Sequence, residues 1–414
     1  MEGLKSIEIK EQEQVSDEDL TYIKSLNIGF PESITDGLCS YLGLNKDGYV
    51  SYYVGATWLK ENVCTLTVLP KFPKLDFMSI FYKAIHSDIH PDYFESAYKI
   101  DLSKPLIKQP GLTSIFTPLV VAHYICVVRK LLEKGLKRNY ILREENLNAK
   151  VKGHIMTLKN LQKNVISGHS ERVLCRYQEY SIDYPENQLL KRALLAAESM
   201  LVSLLKPNIH LLSLLRKELQ SFEGVSSNIT PSAVKNIRKD KLHGEYPMAI
   251  KLAKLILKRT DFSIRQNGEN NQYVPVFSID MSKIFEFHVL SLLTRKYGRN
   301  NVLFQVDTKT MGRCDYLIPS EQLIVDAKYK AIYDEREMSY KLADIREVAG
   351  YGRSKHVLDL LQITDEKEPN CLIIYPKYYS SEDITMNEGP ILDSSKQING
   401  VVNFYTLDVK LPSI

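Results

Sequence analysis

The sequence predicts an α+β chain of several domains. A β-rich N-terminal module covers residues 1–100, a mainly helical region with a basic segment covers 101–262, and a C-terminal α/β domain with a mixed sheet covers 263–414. Three observations predict this. Residues 51–72 read as strand, turn and strand. Pro118, Pro185 and Pro247 each stand before an apolar stretch with helical spacing. The last third alternates helix, hairpin, strand, helix and strand.

Within SYYVGATWLKENVCTLTVLPKF (51–72), Tyr53, Val54, Thr57, Val63, Thr65, Thr67 and Val68 are strand formers, and KEN is turn-like. Asp76 is placed to cap a helix whose Phe77, Ile80, Phe81 and Ala84 fall on one face. Pro118, with Thr117 as its cap, opens a predicted helix running to Gly135. Pro185 opens another, with Leu189, Leu190, Ala193, Leu194, Met200, Leu201 and Leu204 apolar. A third begins near Pro247, with Met248, Leu252, Leu255 and Ile256 inside and Lys251, Lys254 and Lys258 outside. The polar stretch DFSIRQNGENNQYVP (261–275) reads as a link. The last domain then opens with the helix DMSKIFEFHVLSLLTRKYG, stopped by Gly298. The strands NVLFQVD, CDYLIP and QLIVDAKYK follow, then a helix near KLADIREVAGYGRSKHVLDLLQ and the strands CLIIYP and VVNFYTLDV.

With 414 residues, 44% hydrophobic and 25% charged, the chain is neither disordered nor fibrous. A net charge of +4 is compatible with a nucleic-acid partner and does not argue for one. Six cysteines without a C-x-x-C pair fit a reducing compartment and no zinc site. The N-terminus has no apolar h-region, and TPLVVAHYICVVRKLL is broken by His123 and Arg129 and reads as too short for a bilayer. A cytoplasmic location away from membranes is expected. His123 and His210 read as packed histidines of apolar helices. No G-x-x-x-x-G-K-[ST] phosphate loop occurs, so no nucleotide site is expected in this chain. The densest early basic patch is VKGHIMTLKNLQKN (151–164), where Lys152, His154, Lys159 and Lys163 follow Lys150. It is a solvated surface, a partner contact or a DNA contact.

The chemistry concentrates in CDYLIPSEQLIVDAKYK (314–330). A hairpin symmetric about the Ser320–Glu321 bond sets Asp315 opposite Asp326, with Cβ atoms roughly 4.5–5.5 Å apart on one face. Side chains alternate along a strand, so Lys328 shares that face, while Val325, Ala327 and Tyr329 take the other. Carboxylates this close must share a proton, pair with Lys328 or bind a divalent cation. Hard oxygen ligands favour Mg²⁺, with Mn²⁺ as substitute, and such a site can serve phosphodiester hydrolysis. Glu286, on the preceding helix between two phenylalanines, is a further candidate. Glu347 and Tyr351, spaced i, i+4, are possible accessories. D-x-K alone is a common chance pattern; the order of helical acid, acid, D-x-K and helix is more specific.

At these residues the sequence resembles the PD-(D/E)xK nuclease superfamily. Asp315 takes the first acidic position, Asp326-Ala327-Lys328 the (D/E)xK position, and Glu286 that of the helical acid. Cys314 stands where the motif has proline, and Glu347 where relatives often carry the Gln of Q-x-x-x-Y. TLTVLPKF (65–72), VKGHI (151–155), YSIDYPENQLLKRAL (180–194) and D-A-K-Y-K further resemble the McrC subunits of McrBC modification-dependent restriction systems. That resemblance implies a Mg²⁺-dependent DNA endonuclease subunit. Asp315, Asp326, Glu286 and the Ala327 carbonyl would be ligands, and Lys328 would assist the attacking water. It also implies a hexameric, GTP-hydrolysing, McrB-like AAA+ partner that selects modified double-stranded DNA and is stimulated by this chain. Cutting both strands implies pairing of two nuclease domains. The competing readings are an inert subunit that only activates the motor, and a stand-alone repair nuclease.

Overall fold

The computed structural model describes residues 4–30, 40–72, 75–203, 209–234, 243–265, 273–330, 338–364, 367–377, 392 and 397–413. Contacts divide the chain into two compact units, residues 1–122 with 269–414, and residues 123–268. The three consecutive domains expected from the sequence are therefore not how the contacts group. The N-terminal module and the C-terminal third share one unit.

That unit begins with β1 (Lys5–Lys10) and α1 (Asp17–Ser25), followed by the hairpin β2 (Tyr53–Lys60) and β3 (Cys64–Leu69). The strands lie where their residues predicted, with the KEN turn between them. Next comes α2 (Phe77–His86), capped by Asp76, whose carboxylate accepts from Ser79 N–H at 2.9 Å. Phe77, Ile80, Phe81 and Ala84 are buried as expected. Then follow α3 (Pro91–Ser96), β4 (Tyr98–Asp101), β5 (Ile107–Lys108) and α4 (Pro110–Glu133), whose residues from His123 onward belong to the second unit. Helix α4 starts eight residues before Pro118, which lies inside it rather than at its start. Leu112 and Phe116, upstream of the proline, are fully buried. Burying them outweighs the helix bond that Pro118 cannot donate. At 24 residues α4 is also long enough to cross a bilayer, contrary to the sequence expectation. However, 89% of its apolar window is buried, as in a core helix.

The second unit holds β6 (Asn139–Asn148), β7 (His154–Ile155), α5 (Thr157–Asn160), β8 (Arg172–Ser181), α6 (Pro185–Val202), α7 (Ile209–Gln220) and α8 (Tyr246–Arg265). The helices at Pro185 and Pro247 are as predicted. The three-stranded sheet β6-β8-β7 is not, since this region read as mainly helical. His210 is exposed on the first turn of α7 rather than packed, whereas His123 is buried. Of the expected link 261–275, residues 266–272 lie outside the described residues.

The chain then re-enters the first unit through β9 (Tyr273–Val274) and β10 (Val276–Asp280). Strand β10 is inserted between β2 and β4, antiparallel to both, which completes the sheet β1-β3-β2-β10-β4. Asp280 ends β10 and caps α9 (Met281–Tyr297), accepting from Ser282 N–H at 3.0 Å. Gly298, at φ +81°, stops the helix as predicted. The second sheet is built from β11 (Leu303–Asp307), β12 (Arg313–Ile318) and β13 (Leu323–Ala327). After α10 (Met338–Tyr351) and α11 (Lys355–Leu360) it gains β14 (Asn370–Lys377) and β15 (Phe404–Lys410). Its order is β11-β12-β13-β14-β15, antiparallel up to β13 and parallel beyond. The predicted mixed sheet is thus present. The five described cysteines are buried free thiols; Cys39 lies outside the described residues.

Candidate functional site

The hairpin β12–β13 has the predicted register. Tyr316 pairs with Val325, Leu317 with Ile324 and Ile318 with Leu323, which is symmetric about the Ser320–Glu321 bond. One step further Asp315 falls opposite Asp326. The turn is a single 3₁₀ turn, Pro319–Glu321, closed by Gln322 in the left-handed region. In the sheet β13 is flanked by β12 and β14, and α9 and α10 pack against it; all five of its residues are buried, and Asp326 is only 2% exposed. The sequence predicted one core face; the helices packed against the strand give the acid a buried setting as well.

The side chains converge. Lys328 Nζ lies 2.9 Å from Asp326 Oδ2 and 2.8 Å from Glu347 Oε2. Tyr351 OH donates to Glu347 Oε1 at 2.8 Å. Asp315 Oδ2 accepts from Ala327 N–H at 2.9 Å, which ties the two strands through the acid itself. Glu286, on α9, is linked to Asp315 through Gln305. That amide nitrogen donates to Glu286 Oε2 at 2.7 Å and to Asp315 Oδ1 at 3.1 Å. All residues singled out around the hairpin therefore meet, with Gln305 as an unforeseen member. A signal for it existed: counting the preceding hairpin about residue 310 sets Gln305 opposite Asp315. Tyr316 OH, which donates to the Glu286 carbonyl at 2.6 Å, and Glu11 were also missed.

The electrostatics follow from burial and crowding. Burial, then the neighbouring Asp326, pushes the Asp315 carboxyl up to about 7. Burial raises Asp326 too, against the pull of Lys328. Glu286 is held well above the carboxylate range by burial and then by Asp315. Burial acts to lower Lys328, but Asp326 and Glu347 outweigh it and hold the amine above its ordinary value. Lys328 is thus a cation fixed between two acids, a poor proton acceptor and a good source of positive charge.

The donors suit a hard divalent cation. Asp326 Oδ2 is buried and, among the described residues, makes no hydrogen bond of good geometry despite its ion pair. The Lys328 amine answers this oxygen, and the neighbouring Asp315 carboxylate leaves the pair of acids room for a further positive charge. Among the described residues no three His, Cys, Asp or Glu side chains group tightly enough to hold an ion by themselves. Mg²⁺ is usually bound through one or two carboxylates while keeping several waters, so Asp315 and Asp326 with the Ala327 carbonyl suffice in number.

The basic segment 151–164 lies in the second unit on the β6-β8-β7 sheet. Gly153 has φ +69°, and a Cβ there would lie 2.6 Å from the Arg176 carbonyl, so only glycine fits this turn of VKGHI. Its charges are largely answered. Lys152 lies 3.6 Å from Glu179 and 4.0 Å above the Tyr177 ring, and Lys159 lies 3.3 Å from Glu144. Lys150, His154 and Lys163 are exposed. Between them Val151, Leu158 and Leu161 are 61%, 79% and 47% exposed. The surface is as apolar as it is basic. The PEN motif is structural. Asn187 is buried, donates to the carbonyls of Lys137 (2.8 Å) and Ile182 (2.7 Å), and accepts from Tyr246 OH at 2.6 Å.

No curated protein matches the chain. Among solved structures it is similar to the refined half-complex from a tetradecameric assembly of Thermococcus gammatolerans McrB AAA+ hexamers with bound McrC. The identity is 14%, the TM-score 0.39, and the match covers 98% of this chain and 94% of that one. It is also similar to the cryo-EM structure of the Thermococcus gammatolerans McrBC complex, at 14% identity and TM-score 0.31, over 70% of this chain and 87% of that one. The family described as "McrBC 5-methylcytosine restriction system component" matches residues 50–356, well over half of the sequence. The chain belongs to this family of McrBC 5-methylcytosine restriction system components.

Proposed function

We propose that this restriction-system subunit is its DNA-cutting component, a Mg²⁺-dependent endodeoxyribonuclease of PD-(D/E)xK type acting in the cytoplasm. The observation that carries the reading is the meeting of Asp315, Asp326 and Lys328 on one face of a buried hairpin. Asp315, Asp326 and the Ala327 carbonyl would hold the cation, with Glu286 joined to them through Gln305. When bound, such a cation polarises a phosphodiester and lowers the pKa of water. Lys328, fixed by Asp326 and Glu347, supplies positive charge where the phosphate gains negative charge. Glu347 and Tyr351 keep its amine in place. Full-length Asp326→Ala and Lys328→Ala should each lower cleavage of modified duplex DNA about a hundredfold or more, in the range seen when a charge-stabilising group is removed. Folded variants that still cut at the wild-type rate would sink the proposal.

The sequence lacks a phosphate loop, so nucleotide hydrolysis is assigned to a McrB-like AAA+ partner, with which the family resemblance pairs this chain. The partner would select the modified duplex, and two nuclease domains would pair to cut both strands. Of the two contacts open for segment 151–164, we favour the motor over DNA. Phosphate binding needs unengaged cations, whereas Lys152 and Lys159 already have acidic neighbours and exposed apolar side chains lie among them.

A further inference from the structure

Gln305 departs from its strand. Phe304 pairs with Tyr316 and Val306 with Cys314, so the unchanged register sets Gln305 against Asp315. Yet its φ is +53°, in the left-handed region that a straight-chain residue enters only at a cost. No residue is inserted on either side; the backbone leaves the ladder at this one position. The side chain shows what the departure accompanies. One amide nitrogen reaches two acids from different elements, Glu286 of α9 and Asp315 of β12. A primary amide has the two N–H groups this requires, and it brings no charge of its own.

We propose that Gln305 is a positioning residue of the candidate metal site. Its amide fixes Glu286 and Asp315 relative to each other, and the strained backbone is kept because it aims that amide. Asp315 is then held at both oxygens, at Oδ1 by Gln305 and at Oδ2 by Ala327 N–H. The carboxylate cannot rotate, and its remaining lone pairs keep one direction. Partners of this kind orient metal ligands, and losing one typically weakens metal affinity about 10–100-fold. The inference rests on the metal-dependent reading of the site.

The test uses the full-length chain with Gln305→Gly and Gln305→Met. Glycine accepts φ +53° without strain; methionine keeps the side-chain length without the donors. Mn²⁺ binding would be measured without DNA, beside kcat and KM for DNA cleavage and the melting temperature. Both variants should bind Mn²⁺ at least about tenfold more weakly and lose kcat, while KM for DNA stays unchanged. Q305G should melt no lower than the wild type. A residue serving the strand alone would let Q305G bind and cut normally, and that result overturns the inference while the nuclease reading stands. Full Mn²⁺ binding by Q305M overturns it equally. If the wild type itself binds no Mn²⁺ and cuts no DNA, the nuclease reading fails and takes the inference with it.

Discussion

Glu11 is a single residue whose role no local pattern announces. It is 1% exposed, and its Oε1 accepts from Tyr329 OH at 2.6 Å and from Lys71 N–H at 3.1 Å. Tyr329 directly follows Lys328, and the Lys71 amine lies 4.5 Å from its ring centroid. The first strand and the P-K segment thus both grip the D-A-K-Y-K strand. Burial pushes the Glu11 carboxyl from 4.5 up to about 7, although its hydrogen bonds and Lys71 pull it down. The folded chain therefore binds this proton more tightly than the unfolded chain. The associated stability is fully present below the unfolded value and is lost as pH rises through about 7. The contribution is on the order of 3 kcal/mol at most. Denaturant melts of the wild type between about pH 5 and pH 8 should lose more stability than those of Glu11→Gln. Parallel curves for the two proteins would remove Glu11 as the source.

At the scale of elements, much was legible. The caps Asp76 and Asp280, the stop at Gly298 and the β12–β13 register all follow from residues within a few positions of each other. Helix α4 and the β6–β8 hairpin depart from their local signals. Pro118 is a start signal by local rules, and only the burial of Leu112 and Phe116 reveals that the helix begins earlier. Strand β6 alternates, but its register with β8 spans ten pairs, from Asn139↔Ser181 to Asn148↔Arg172, set by a long-range partner rather than a tight turn. Helix α6 carries its own test. Asn187→Ala would strip hydrogen bonds from two carbonyls and the Tyr246 hydroxyl. The cost expected is about 2–3 kcal/mol, read as a lower melting temperature with metal binding unchanged. An unaltered melt would show that water replaces the amide without loss.

For the whole molecule, the decisive feature is that the chain leaves the first unit and returns. Strand β10 completes the N-terminal sheet, and its last residue, Asp280, caps the helix that carries Glu286. The N-terminal sheet and the candidate site are therefore joined by a single residue as well as by the Glu11–Tyr329 bond. Segment 151–164 belongs to the second unit. If it meets the AAA+ partner through its apolar side chains, Leu158→Ser with Leu161→Ser should weaken that binding about tenfold or more and leave Mn²⁺ binding intact. The remaining affinity should change little with salt. A steep salt dependence, or unchanged binding, would favour the DNA contact instead.

The sequence alone determined the hairpin, its register and the convergence of Asp315, Asp326 and Lys328, because these depend on counting along one turn and on alternation in a strand. It also carried the motifs that place the chain in its family. Only the tertiary structure decided that Asp326 is buried, that Gln305 joins Glu286 to Asp315, and that Glu11 braces Tyr329. Those facts depend on which surfaces meet across tens to hundreds of residues. Burial and long-range hydrogen bonding, rather than local propensity, set the electrostatics on which the site's chemistry depends.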